Sequence, residues 1–343
     1  MATASEVSRP QGGARPAFLV AAGIFSSRIT GFIRDRAIAY YFGTSPYADV
    51  FRGALRMPNV LQNLLGEGTL SASFIPVYAE LLEQGRREEA GRVAGAVFAL
   101  LVALAGALSL IGILAAPVLV GIFLPGFEGL RRDLTIEATR IIFPMTGVLV
   151  LSAWALGILN SHRRFFIPYV APVLWNGAMI TALVLLGGRL TSGRLVIAVS
   201  WGAFAGGLLQ FGIQLPWVFS LERNLRIRWN TRMAEVREAV RNAGPAILAR
   251  GAAQLSGWLE LFLASLLVAG SVATLSYALT FYLLPIGLFG ISVAAAELPE
   301  LARQRAQATE VLRLRINAGL RRIAFFVVPS LVAYLVLGDV IVA

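Results

Sequence analysis

The sequence predicts an all-α, polytopic membrane protein, and three observations carry that reading. Mean hydropathy over the 343 residues is +0.73. Charged residues make up 14% of the chain, against about 25% in a soluble domain. Residues 93–123 contain no charged side chain and exceed the roughly 20 residues that an α-helix needs to cross a bilayer. The alternating, turn-punctuated segments of a β-barrel are absent.

Taken in order, residues 1–16 are polar with Gly and Pro, show no signal-peptide pattern, and read as a disordered cytoplasmic tail. Apolar spans follow at about 17–41, 46–66, 93–123, 138–160, 168–187, 195–219, 243–268, 273–298 and 318–341. The first six form a lobe over 17–220. The charged stretch "LERNLRIRWNTRMAEVREAVRN" at 221–242 reads as an amphipathic surface helix linking it to a partial second lobe at 243–343.

All 30 basic residues are arginine. With the N-terminus inside, 19 of them fall in cytoplasmic segments and five in segments on the other side. That asymmetry sets the orientation, and it accounts for the net charge of +11 without nucleic acid. The absence of cysteine excludes disulfides and thiolate metal sites. His162, beside Arg163 and Arg164, reads as a solvated loop residue rather than a metal ligand. No P-loop, HExxH or nucleophile-elbow motif is present, so the sequence does not read as an enzyme.

Short segments recur in order at shifts of 223 to 227 residues: "TGF" with "SGW", "FGTS" with "AGSV", "LRMPN" with "YLLPI", "PVYAEL" with "PELARQ". Six spans separate the copies, so both face the same way across the membrane. A second lobe matching the first in length would extend past residue 343, and the expectation is of an incomplete chain.

Polar residues inside the spans are the functional signal. Asp49, Arg52, Arg56, Asn59 and Asn63 are spaced 3, 4, 3 and 4 apart, so they fall on one helix face within roughly 80°. Each charge costs roughly 2.5–3.5 kcal/mol at the bilayer centre, so the stripe must face protein or water. Arg28 and Asp35 share a face of the first span, and Asp49 can partner Arg52. Five arginines (28, 34, 36, 52, 56) face two aspartates. Positive charge in excess suits an anionic cargo, since the guanidinium fork donates two parallel hydrogen bonds to phosphate. Helix packing by ion pairs is the competing reading of the same residues. Gly31, Gly43, Gly66, Gly68 and Pro58 punctuate these helices, and Pro58 is expected to kink the second span. Arg250, Gln254 and Glu260 are polar positions in the seventh span.

The segments "SRITGFIRD", "ADVFRGALRMPNVLQNLLGEGTLSASFIPVYAE", "ILNSHRRFFIPYVAPVLWN" and "GPAIL" resemble the MurJ/MviN family from about residue 17 onward. These are lipid II flippases of the multidrug/oligosaccharidyl-lipid/polysaccharide exporter superfamily. The resemblance implies a MATE/MurJ-like helical bundle of two six-helix lobes and a C-terminal pair, here the first lobe and about three helices of the second. It implies that lipid II, the undecaprenyl-diphosphate-linked peptidoglycan precursor, is moved by alternating access from the cytoplasmic to the periplasmic leaflet of the bacterial inner membrane. Lipid II and membrane lipids are the implied partners, together with cell-wall synthesis proteins. No cofactor is implied, and a coupling ion would bind outside this chain.

The family's essential arginines match Arg28 and Arg34, its acids Asp35 and Asp49, its PN motif Pro58 and Asn59, and its EG motif Glu67 and Gly68. Three positions depart: Gln62, Thr280 and Leu283 stand where the family has charged residues. Arg52, Arg56, Arg250 and Glu260 are expected to supply the missing charge. The substrate-binding set is therefore Arg28, Arg34, Asp35, Asp49, Arg52, Arg56, Asn59, Gln62, Arg250 and Glu260, with Gly31, Pro58, Glu67 and Gly68 as gating residues. A flippase for another polyprenyl-linked glycan and a non-transporting, truncated paralogue are the alternatives. An antiporter for cationic drugs would need an acidic cavity.

The orientation is open to test with a reporter that fluoresces only in the cytoplasm. Fused after Arg164 it should be bright, and after Arg189 it should be dark; the reverse pattern would invert the topology.

Overall fold

The structure, a computed structural model, describes residues 14–285 and 309–342. The expected tail at 1–13 and the eighth span beyond Pro285 lie outside the described residues. Helices are α1 (Ala14–Phe42), α2 (Pro46–Leu65), α3 (Glu67–Glu83), α4 (Arg87–Phe123), α5 (Gly129–Ser161), α6 (Phe166–Val170), α7 (Pro172–Leu186), α8 (Ser192–Gly212), α9 (Leu215–Leu221), α10 (Ala234–Ser265), α11 (Ser271–Pro285) and α12 (Thr309–Val342). No strand occurs among the described residues. Among the described residues, five stretches are long and apolar enough to cross a membrane: α4, α5, α6 with α7, α8 with α9, and the Ile316–Gly338 part of α12.

Two compact units divide at Ala273 and Thr274. α10 belongs to the first unit because it packs against α3, α4 and α2. In that unit α5 is the central post, in contact with α2, α3, α4 and α8. Small residues allow close approach where hydrocarbon offers no hydrophobic drive between helices. A Cβ on Gly206 of α8 would meet the Trp175 carbonyl of α7 at 2.8 Å. Trp154 of α5 buries its ring and donates its indole N–H to the Ala94 carbonyl of α4 at 3.1 Å. In the second unit, the Tyr334 hydroxyl donates to the Phe281 carbonyl at 3.0 Å.

Two features differ from the sequence reading. Residues 67–83, outside the spans read from the sequence, are helical. Leu70, Phe74, Val77, Tyr78 and Leu81 recur at helical spacing on the buried face of α3, and Glu80 and Glu83 lie outside that buried set. α2 and α3 follow one another with a break at Gly66 and not at Pro58, through which α2 runs on. Thr69 caps the interruption, its hydroxyl donating to the Leu64 carbonyl.

The second correction concerns 221–242, which is not one surface helix. Residues 222–233 form an extended strap, and α10 begins at Ala234. The strap lies against α4, where Gly91 and Gly95 expose bare backbone one turn apart. A Cβ on Gly91 would meet the Asn224 carbonyl at 2.5 Å, and one on Gly95 would overlap the Arg226 carbonyl. At its start the buried Glu222 carboxylate accepts the Tyr78 hydroxyl at 2.7 Å. At its end Arg86 bridges Glu89 and Glu235. This end of the unit also carries Arg87, His162 and Arg223 around one pocket and is the basic end.

Gly95→Val should lift the strap from α4 at about 1–3 kcal/mol of local overpacking. Limited trypsin digestion should then cut within 223–232 several-fold faster than in the native chain, with unchanged cutting elsewhere.

Candidate functional site

In the first unit two adjoining cavities form one polar cleft. The first, of about 330 Å³, is lined by Ser27 and Arg28 of α1, Gln62 of α2, Glu67 of α3, Ser152 of α5, Tyr169 of α6 and Gln210 of α8, with apolar residues between them. The second, of about 610 Å³, is lined by Gln62, Asn63, Glu67, Gly68, Ser71, Ala72 and Arg250. Gln62 and Glu67 belong to both because the interruption at Gly66 sets the end of α2 and the start of α3 side by side in the wall. Glu67 stands in the first turn of α3, where a carboxylate favours the helix dipole. Gly68 leaves room for the Arg250 guanidinium, which a Cβ at that position would overlap. Arg28 and Arg250 make no ion pair or hydrogen bond with the described residues. Two guanidiniums, one carboxylate and several neutral amides and hydroxyls give a cleft with net positive charge and many donors. It holds the chemistry of anion recognition.

A second grouping is closed. Asp35 Oδ1 accepts from Arg34 Nε at 3.2 Å and Nη2 at 2.9 Å, and lies 3.1 Å from Arg52 Nη2. Arg34 Nη1 also donates to Asn176 Oδ1 at 3.0 Å, and Trp175 presents its ring 5.2 Å from the Arg34 Cζ. Asn176 Nδ2 donates to the Thr30 hydroxyl at 3.3 Å. One carboxylate therefore serves two guanidiniums and joins α1, α2 and α7.

A third set runs along α2. Arg56 Nη2 donates to the Gly257 carbonyl of α10 at 3.2 Å and lies 3.5 Å from Glu260. Asn63 donates to Gln254 at 3.3 Å. At the end away from the strap, the fully buried Asp49 accepts hydrogen bonds from Arg131 Nη2 at 2.6 Å, Gly270 N–H at 2.6 Å and Ala273 N–H at 2.7 Å. Gly270 has φ +97°, and a Cβ there would overlap the Thr44 carbonyl. Asp49 thus clasps the first turn of α11, adding a negative charge to a helix N-terminus.

Of the residues expected to contact a substrate, Arg28, Gln62 and Arg250 line the cleft, as do the expected gating residues Glu67 and Gly68. Arg34, Asp35 and Arg52 are brought together in the closed cluster, and Gly31 lies near Asn176 beside it. Arg56 and Glu260 pair across α2 and α10, Asn59 is half-buried on the same stripe, and Pro58 is buried within α2. Two pairings differ from the sequence reading. Asp35 pairs with Arg34 and Arg52, not Arg28, and Asp49 pairs with Arg131, not Arg52. Spacing along one helix ranks only intrahelical neighbours, and both acids find partners across helices. Ser152, Tyr169, Gln210, Asn176 and Arg131 were missed. Gln210 and Asn176 were visible as lone amides in apolar spans, whereas Arg131 looked like an ordinary loop charge.

The family model described as "Lipid II flippase MurJ" matches residues 38–343. A probable lipid II flippase MurJ of Rhizobium meliloti is 33% identical over 336 residues, covering 94% of this chain and 61% of that protein. The chain thus spans about three-fifths of the length of the curated relatives it matches. Among solved structures, a lipid II flippase MurJ in an inward closed conformation aligns with a TM-score of 0.77 at 26% identity, over 93% of this chain and 65% of that one. An inward-facing MATE-family multidrug transporter of the MOP superfamily aligns with a TM-score of 0.73 at 21% identity, over 92% of this chain and 71% of its own.

Removing the shared acid should leave two buried guanidiniums side by side. Asp35→Leu is expected to cost about 3–5 kcal/mol, read as a lowered thermal unfolding midpoint in detergent. Adding Arg52→Leu should recover much of that loss, because the remaining Arg34 keeps Asn176.

Proposed function

The chain belongs to the lipid II flippase MurJ family, and from that membership we propose that it takes part in moving a polyprenyl-diphosphate-linked glycan, lipid II, across the bacterial inner membrane. The observation that carries the reading is the pair of guanidiniums, Arg28 and Arg250, that line one polar cleft without a direct ion pair or hydrogen bond to a described residue. A diphosphate offers two charged centres to such a pair, and guanidinium–phosphate contacts are both charge-assisted and bidentate. Gln62, Asn63, Tyr169 and Gln210 supply the neutral donors and acceptors that sugars and peptide amides require. The prenyl tail would stay in lipid, since no apolar tunnel is needed for a chain already soluble in the bilayer. No covalent bond changes.

In this proposal the basic end faces the cytoplasm. In alternating access the Asp49 clasp would loosen in one state, and its hydrogen bonds would help to set the balance between the two states. The interruption at Gly66 is where α2 and α3 can change their mutual angle. Arg250 stands in for cavity charge absent at Thr280 and Leu283; Thr280 spends its hydroxyl on the Ser276 carbonyl at 3.0 Å.

The test is rescue of a bacterium depleted of its own lipid II flippase by the full-length gene. Arg28→Ala and Arg250→Ala should each lower plating efficiency at least tenfold at equal membrane levels, while Arg163→Ala should not. Full rescue by Arg250→Ala would remove it from the cargo site. A distinct signature is expected from Asp49→Ala: freed from the clasp, α11 should begin to unravel, with faster amide exchange at 271–275 and with the cleft residues unchanged.

A further inference from the structure

A groove of about 560 Å³ opens on the flank of the first unit between α3, α4 and the first half of α10. It shares no lining residue with the polar cleft. Its walls are apolar, with Leu70 and Phe74 from α3, Leu101 and Leu104 from α4, and Val240 and Ile247 from α10. Leu104 is 44% exposed and Val240 58% exposed. On α4 the groove covers Val97 to Leu104, five to twelve residues past Arg92, the last charge before the apolar stretch. At 1.5 Å per residue that is roughly 8–18 Å into the hydrocarbon from the basic end.

The mouth has a different character. The strap passes over it, and Trp229 both lines the groove and is 62% exposed. Arg226 and Arg228 precede Trp229, Arg232 follows it, and Arg237 and Arg241 flank the apolar face of α10. All five are exposed, and none forms an ion pair with a described acidic side chain. Glu235 is engaged by Arg86 at 3.0 Å, and Glu238, exposed between Arg237 and Arg241, is one acid among five arginines. Gly91 and Gly95 seat the strap backbone on α4, so the segment that carries Arg226, Arg228 and Trp229 is held beside the groove rather than left as a free loop. Tryptophan and arginine at headgroup depth, above an apolar trough, match one ligand chemistry: acyl chain below, anionic head above.

We propose that this groove binds an anionic phospholipid of the adjoining leaflet, one acyl chain lying between α3, α4 and α10 and the phosphate clasped by the strap arginines. The trough selects lipid over soluble phosphate, and the charge selects an anionic over a zwitterionic head. The proposal does not depend on what the polar cleft carries.

Native mass spectrometry of the full-length protein, in micelles holding equal amounts of dioleoylphosphatidylglycerol and dioleoylphosphatidylcholine, tests it. The phosphatidylglycerol adduct should exceed the phosphatidylcholine adduct about tenfold. Arg226→Gln with Arg228→Gln should bring the two nearly level. Leu104→Trp and Val240→Trp, each filling the groove from an exposed position, should cut the adduct several-fold while the thermal unfolding midpoint without added lipid stays unchanged. Equal retention of both lipids, or full retention in both tryptophan variants, would overturn the proposal. So would equal binding of glycerol phosphate, which lacks the chains, or displacement by undecaprenyl phosphate at equal concentration, which would make the groove a seat for a polyprenyl tail.

Discussion

A guanidinium at bilayer depth has no inexpensive place except inside protein or against water, and the first unit is arranged around that constraint. α2 carries Asp49, Arg52 and Arg56 on one face and buries Val50, Phe51 and Ala54 elsewhere. It therefore cannot sit at the periphery. Its charges reach α1 through Asp35, α5 through Arg131, α10 through Gly257 and Glu260, and the start of α11 through Asp49. α4 shows the contrast: free of charge from 93 to 123, it leaves Leu110, Ile111, Leu114 and Val118 well exposed.

The same residue type is used in two opposed ways. Arg34 and Arg52 share a single carboxylate, and through Arg34 and Asn176 the group ties three helices together. Arg28 and Arg250 stand over open space with only Glu67 as a nearby acid. Closed pairs define the walls, and open ones define what the walls enclose. Under the proposed function, a cargo with two negative centres would replace the water around the open guanidiniums, so that recognition and desolvation would be one event.

Much of the fold was legible in the sequence because bilayer thickness dictates span length. The apolar runs at 93–123 and 138–160 sit inside α4 and α5. What was not legible depended on backbone approach. Nothing in "LERNLRIRW" signals an extended strap; that follows from Gly91 and Gly95, more than a hundred residues earlier. The break at Gly66 was masked by Pro58, the stronger local signal, yet α2 accommodates the proline and yields at the glycine. Within the cleft, Arg28, Gln62, Glu67, Gly68 and Arg250 could be picked out by charge, spacing or motif. Ser152 and Tyr169 could not, since a hydroxyl among apolar residues is silent until the helices that surround it are known.

Apart from Arg131, the donors to Asp49 are main-chain amides, not side chains. The contact is thereby indifferent to which side chain occupies position 273. Sequence drift across the beginning of α11 can proceed without loosening the joint, provided a residue able to adopt φ +97° persists at 270. The vulnerability is lopsided: one acid on one helix carries a bond that most of the opposing segment is unable to lose.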